Sequence, residues 1–256
     1  MSGAHFHSVL VTGANRGIGL EMVKQLLQLR EPPKWVFATC RDPHGGRSQE
    51  LRSLASKHPC LVILQLESTD EASIKAAAKE VEVHLAGSGL NLLINNAGIM
   101  PPSTLESVDK EDMLSVYRIN LIGPMLVTQA FLPMLKTAAK KSNRKGLSCS
   151  RAAIINVSTI GSSIGRPPSM AMFPVISYRC SKTALNMLTR CQSLEYKDDG
   201  ILCVALHPGW VKTEMGTEKA ELTVQESVQG IIQVLSSINE EKNSRLVDWE
   251  GRIVPW

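Results

Sequence analysis

Short apolar, β-branched runs alternate with longer helical patterns along the whole chain, and that alternation leaves few folds open. The runs fall at 8–12, 35–39, 61–66, 91–95, 152–158 and 201–206, with a weaker seventh at 252–254. Helical periodicity lies between them at 18–29, 71–84, 110–135, 178–196 and 224–238. Strands that are apolar on both faces must be covered on both faces, and helical connections make neighbouring strands parallel. Right-handed crossovers then predict an α/β fold, a doubly wound parallel sheet of six to seven strands with helices on both faces. Ligands of such sheets sit at the carboxyl ends of the strands. No repeat, low-complexity tract or long linker divides the sequence, so a single domain over residues 1–256 is expected.

Composition removes several functions. The 28 Lys+Arg against 24 Asp+Glu leave a net charge of +4 on 256 residues, too weak a footprint for nucleic acid. No run approaches the roughly 18 consecutive apolar residues of a bilayer span, so no membrane partner is expected. The N-terminus lacks the basic and apolar regions of a secretory leader. A basic stretch at 136–151 reads as a solvated connection between a helix and a strand. Six cysteines form no CxxC pair and no metal-ligand spacing, so no metal is expected. They read as reduced thiols of a cytoplasmic protein, with Cys60 and Cys203 packed as small hydrophobes. Aromatics make up only 4%, which leaves the core to Val, Ile, Leu and Ala.

The first apolar run leads into Thr12-Gly13-Ala14-Asn15-Arg16-Gly17-Ile18-Gly19, and a helix follows. Strand, glycine-rich turn and helix together make a phosphate site. Gly13 permits the tight turn, Gly17 lets backbone approach a pyrophosphate, and Gly19 lets the helix pack close to the strand. The helix N-terminus adds N–H donors. The spacing is neither that of a P-loop, which needs Gly-Lys-Ser/Thr, nor GxGxxG. After the second run the first polar side chain is Arg41, in Cys40-Arg41-Asp42-Pro43. Arg41 and Arg16 offer guanidinium groups suited to a 2′-phosphate. Asp42 is the counter-signal, able to cap Arg41 or take a ribose hydroxyl. NADP is therefore favoured over NAD as the cofactor.

Further motifs follow in order. They are Asn95-Asn96-Ala97-Gly98, Asn120 in Arg118-Ile119-Asn120-Leu121, Asn156-Val157-Ser158-Thr159, Tyr178-Arg179-Cys180-Ser181-Lys182, and His207-Pro208-Gly209-Trp210-Val211-Lys212-Thr213. With the TGxxxGxG turn, this set resembles the short-chain dehydrogenase/reductase family over residues 8–254. The final stretch is most similar to the sniffer-like and C-factor-like carbonyl reductases. The resemblance implies a Rossmann-type sheet and a cofactor turn that includes Asn15 and Ile18. It implies that Glu67, standing where the family usually has Asp, lies near the adenine, and that Asn95, Ala97 and Gly98 line the adenosine side. Pro208, Gly209 and Val211 would turn the chain beside the cofactor, with Thr213 at the nicotinamide carboxamide. Lys182 would bond the nicotinamide ribose, and Asn120 would hold a water in the proton path. Subunit contacts would run through helices 110–135 and 178–196, giving a homodimer or homotetramer.

Carbonyl reduction needs a proton donor at the oxygen and stabilisation of the developing alkoxide. Tyr178 and Lys182 are four residues apart and share a helix face. A nearby ammonium lowers a phenol's pKa towards working pH, which makes an effective acid for reduction or base for oxidation. Tyr178 is the only tyrosine with Lys four residues on. The third hydroxyl is Thr159 when the strand is aligned and Ser158 when Gly161 is aligned. Side chains alternate across a strand, so one of the two faces substrate, and the strand alignment favours Thr159. Gly161-Ser162-Ser163-Ile164-Gly165 also fits GxSxG, a nucleophile elbow, but Arg166-Pro167-Pro168 does not continue as the required helix. The substrate is expected to be a small carbonyl compound. Its pocket should lie between 162–176 and 210–223, lined by Met170, Met172, Phe173 and Trp210, open and without a large lid. The alternative function is a dinucleotide-binding regulator of the same fold with vestigial chemistry, to which Thr in place of Ser would point.

Overall fold

The computed structural model describes residues 6–169 and 174–256. Strand β1, Ser8–Thr12, is buried along its whole length, and its side chains divide by the period of two. Val9 and Val11 enter one apolar cluster and Leu10 enters another on the opposite side of the sheet. The same division holds for β4 (Leu92–Asn95), β5 (Ala153–Val157) and β6 (Leu202–His207), where Leu93, Ile154 and Cys203 join Leu10. These strands are apolar on both faces because helices cover both faces.

With β2 (Trp35–Cys40), β3 (Leu61–Gln65), β7 (Leu246–Asp248) and β8 (Ile253–Val254), they form one eight-stranded sheet in the order β3-β2-β1-β4-β5-β6-β7-β8. Only β8 runs antiparallel, against β7. The sheet therefore has eight strands where six to seven were expected. Helices α1 (Gly17–Leu27) and α7 (Val224–Ser237) supply residues to the Val9 side, and α3 (Glu71–Leu85) and α5 (Gly123–Lys141) to the Leu10 side. The order reverses between β1 and β4, and a crevice opens at such a switch point.

Three helical features differ from the sequence reading. A seven-residue helix α2, Gln49–Ala55, was not anticipated. The helix expected at 110–135 is α4 (Lys110–Tyr117), a π-turn at Arg118–Ile122, and α5. Helix α5 also continues to Lys141 through Pro133, so the start of the basic stretch is helix and not loop. Among the described residues this Lys110–Lys141 stretch is long and apolar enough, by length and composition, to span a bilayer, with a mean hydropathy of 1.2 in its best window. Its apolar side is used in the core, where Val127, Phe131 and Leu135 are almost wholly buried. Cys203 is buried and Cys60 half-buried, and all six thiols are free.

Candidate active site

The glycine turn is fixed by the strand beside it. Thr12 Oγ1 accepts from the backbone N–H groups of Asn96 and Ala97, each at 3.0 Å. Asn96 Nδ2 donates to the carbonyls of Thr12 and Gly13 at 2.9 and 3.2 Å. Gly13 has a φ of +64°, and a Cβ there would stand 3.0 Å from the Cα of Ala97. At Gly19 a Cβ would fall 2.6 Å from Asn96 Nδ2. Residues 12–19 and 95–98 thus form one packed unit at the switch point. Arg16 is the N-cap of α1, and its side chain makes no capping hydrogen bond to that helix. Its first N–H groups and positive dipole end face the crevice, which is the chemistry a pyrophosphate requires. Asn15 and Ile18 lie half-buried on this turn.

Charge is concentrated beyond β2. Arg41 Nε lies 3.8 Å from Glu67 Oε2, and Glu67 Oε1 accepts from both the backbone and hydroxyl of Thr69 at 3.2 Å. Asp42 Oδ1 accepts from the N–H groups of His44 and Gly45, at 3.1 and 2.8 Å. The carboxylate that spoke for a ribose hydroxyl is thus used within its own turn. Arg16 and Arg47 both meet Glu214, by an Nη1 hydrogen bond and at 3.7 Å respectively. Arg47 and Glu214 were not singled out in the sequence, although Arg47 follows a Gly-Gly pair only six residues past Arg41.

At the carboxyl end of β5 the two candidate hydroxyls part. Ser158 is buried and turned into α6 (Ile176–Glu195), donating to Asn186 Oδ1 at 2.7 Å. Thr159 points the other way. It caps Gly161 N at 3.1 Å and is near enough to Tyr178 to influence its phenol. Tyr178 and Lys182 sit one turn apart on α6, with Nζ 5.8 Å from the ring centroid. Lys182 is buried and donates to the carbonyl of Val157 at 2.7 Å. Burial holds the Lys182 ammonium down to about 8. Burial also pushes the Tyr178 phenol up to about 12, and Thr159 only partly offsets this. For the protein by itself desolvation is the largest effect on the phenol. A raised pKa keeps the phenol protonated, as an acid must be.

Asn120 projects from the π-turn and is fully buried. Its Oδ1 accepts from Ile99 N and its Nδ2 donates to Ile99 O, both at 2.9 Å, with Ser181 Oγ at 3.1 Å. A Cβ on Gly98 would lie 3.1 Å from Asn120 Oδ1 and 3.6 Å from Lys182 Nζ, so the backbone after β4 closes on both side chains. Asn95 lies elsewhere. Its Nδ2 donates to Asn156 Oδ1 at 2.9 Å within the core beneath the sheet. After β6, the Pro208 carbonyl accepts from Ser227 Oγ at 2.6 Å, and Gly209 has a φ of +86° with Trp249 against it. Val211 is buried, and Thr213 Oγ1 accepts from Gly216 N at 3.0 Å. The Thr213 methyl would stand 3.5 Å from a Cβ on Gly17, which brings this segment to the glycine turn. Trp210 Nε1 donates to Gly216 O at 2.8 Å. Met170, Met172 and Phe173, expected in the substrate pocket, lie outside the described residues.

A parallel sheet with a glycine turn at its switch point, and a tyrosine and a lysine on one face of α6 beside it, defines a dinucleotide-dependent oxidoreductase class. The chain belongs to the short chain dehydrogenase family, whose pattern it matches over residues 7–223. It is 57% identical to an NADPH-bound carbonyl reductase from chicken fatty liver, with a TM-score of 0.95 over 98% of this chain and 100% of that one. The carbonyl reductase Sniffer of D. melanogaster is 38% identical with a TM-score of 0.93, over the same shares of the two chains. The C-signal of Myxococcus xanthus is 37% identical over 65% of this chain and 93% of its own length.

Proposed function

We propose that the protein is an NADP(H)-dependent carbonyl reductase acting on a small carbonyl substrate, built as a single domain. One observation carries this reading: Tyr178 and buried Lys182 share one face of α6, with Nζ 5.8 Å from the ring centroid and 3.6 Å from where a Cβ on Gly98 would stand. The bound dinucleotide supplies the hydride. Tyr178 donates the proton to the carbonyl oxygen, and Thr159 orients that oxygen by hydrogen bonding. Lys182, charged below its pKa of about 8, holds positive potential beneath the phenol. Asn120 positions the Ile99 backbone and closes the site behind Gly98. Arg16 and Arg41 favour the 2′-phosphate, a preference supported by the NADPH of the chicken enzyme and by the internal use of Asp42. Gly13, Gly17, Gly19, Ala97, Gly98 and Thr213 line the cofactor crevice, with Glu67 at its adenine end.

Leu114 and Ile122, and Met187 and Leu194 on α6, are large exposed apolar side chains on the helices named for subunit contact. They support a homodimer or homotetramer through α4–α5 and α6. A cytoplasmic setting fits six free thiols. The regulator reading draws on the likeness to C-signal, but Tyr178 and buried Lys182 stand together on α6 as carbonyl chemistry requires. The test is NADPH oxidation with a panel of aldehydes, quinones and ketones. Turnover with some of them, reduced at least about a hundredfold by Tyr178→Phe, is the expected result. NADPH binding without turnover across the panel overturns it in favour of the regulator.

A further inference from the structure

Glu214 stands on a segment that holds itself together. Lys212 N donates to Leu222 O at 2.9 Å, Leu222 N to Trp210 O at 3.0 Å, and Gly216 N to Thr213 Oγ1 at 3.0 Å. The segment therefore carries the Glu214 carboxylate as a unit to the far side of the crevice. There it meets Arg16 from the glycine turn and Arg47 from the loop after β2. These two guanidinium groups come from the elements that flank the 2′-position of a dinucleotide in a sheet of this order. Arg16 gives its Nη1 to the carboxylate, so that donor is not open to a phosphate while the pair holds. The side chains are 46% (Arg16), 70% (Arg47) and 67% (Glu214) exposed, so the pairs are weak enough to exchange partners.

We propose that Glu214 is a cofactor-specificity residue, an internal carboxylate that competes with the 2′-phosphate for Arg16 and Arg47. A phosphate monoester carries close to two charges and three acceptor oxygens, so it displaces a carboxylate from a guanidinium, whereas a bare ribose hydroxyl does not. Binding of a phosphorylated dinucleotide thereby releases the Glu214 carboxylate from Arg16 and Arg47. The competition rests on the reading of Arg16 as a phosphate ligand given above.

The experiment is equilibrium binding of NADPH, NADH and 2′,5′-ADP to the full chain and its Glu214→Gln and Arg16→Gln variants, by calorimetry, with no turnover required. Glu214→Gln should tighten NADPH and 2′,5′-ADP about three- to fivefold, the scale of an exposed ion pair, and leave NADH within about twofold. The difference should shrink at high salt. A change below about twofold for NADPH, or weakening of NADPH and NADH alike, overturns the competition. Arg16→Gln separates the two ideas. If it fails to weaken NADPH, the phosphate-ligand reading falls and the proposal with it. If it weakens NADPH while Glu214→Gln does nothing, the competition alone is overturned.

Discussion

Ser158 and Thr159 are neighbours with opposite fates, both just past the end of β5. Ser158 follows the side of Asn156, whose Nδ2 reaches Thr189 and Gln192 on α6, and it ends in a buried bond to Asn186. Thr159 instead caps Gly161 N and lies near enough to Tyr178 to influence its phenol. Removing the Thr159 hydroxyl with Thr159→Val should lower kcat/KM for a carbonyl substrate about a hundredfold, the scale of one lost donor to a developing oxyanion. Thr159→Ser should keep most of the activity. Ser158→Ala leaves Asn186 Oδ1 without its donor and should cost about 1–3 kcal/mol of stability, with kcat/KM nearly unchanged. Steady-state kinetics and urea titration on the three variants decide the matter. A Ser158→Ala enzyme that folds normally and is inactive would reverse the assignment. The two possible alignments of this stretch showed that only one hydroxyl could serve, but choosing it required knowing where the strand ends.

Elements of strong periodicity were legible in the sequence because each had enough apolar residues to show its period. Strand β7 has three residues and α2 a single buried side chain, Leu51, so neither leaves a pattern to read. The π-turn at 118–122 is invisible to a helical period, yet it is what aims Asn120 at Ile99. Arg47 and Glu214 escaped for a different reason, since their meeting depends on loops separated by more than half the chain. Helix α7 shows the legible case in full. Its N-cap Thr223 accepts from Glu226 N at 3.1 Å while Glu226 returns a carboxylate to Thr223 N at 2.9 Å, a reciprocal capping box. This helix packs beside α1, far from Tyr178 in the chain and on the other face of the sheet. Thr223→Ala should therefore lower stability by about 1 kcal/mol, seen as a drop of a few degrees in Tm, with NADPH affinity and turnover within about twofold. A loss of cofactor binding as large as the loss of stability would mean that the cap instead sets the position of the 210–222 segment.

At the scale of the whole molecule, a sheet covered on both faces leaves little room for ionisable groups, and His207 sits where that cover ends, at the carboxyl end of β6. It closes β6 in register with Asp248 of β7, and its Nδ1 is buried with no hydrogen-bond partner among the described residues. Burial lowers its pKa from the usual 6.5 to about 4, with Asp248 pulling only weakly in the other direction. The folded protein therefore refuses a proton that the unfolded chain accepts. Above about pH 6.5 neither state is protonated there, and His207 adds no pH dependence. Between 6.5 and 4 the unfolded chain binds the extra proton, so stability falls as pH falls, by at most about 1.4 kcal/mol per pH unit from this one group. Carboxylates elsewhere contribute their own acid dependence, so the comparison has to be internal. Urea denaturation of the native protein and of His207→Gln at pH 7.5 and pH 5 supplies it. The native chain should lose more stability than the variant on moving to pH 5, while NADPH affinity at pH 7.5 stays comparable. Equal losses in the two proteins would show that His207 already has a partner for its proton in the fold, and that the acid sensitivity lies elsewhere.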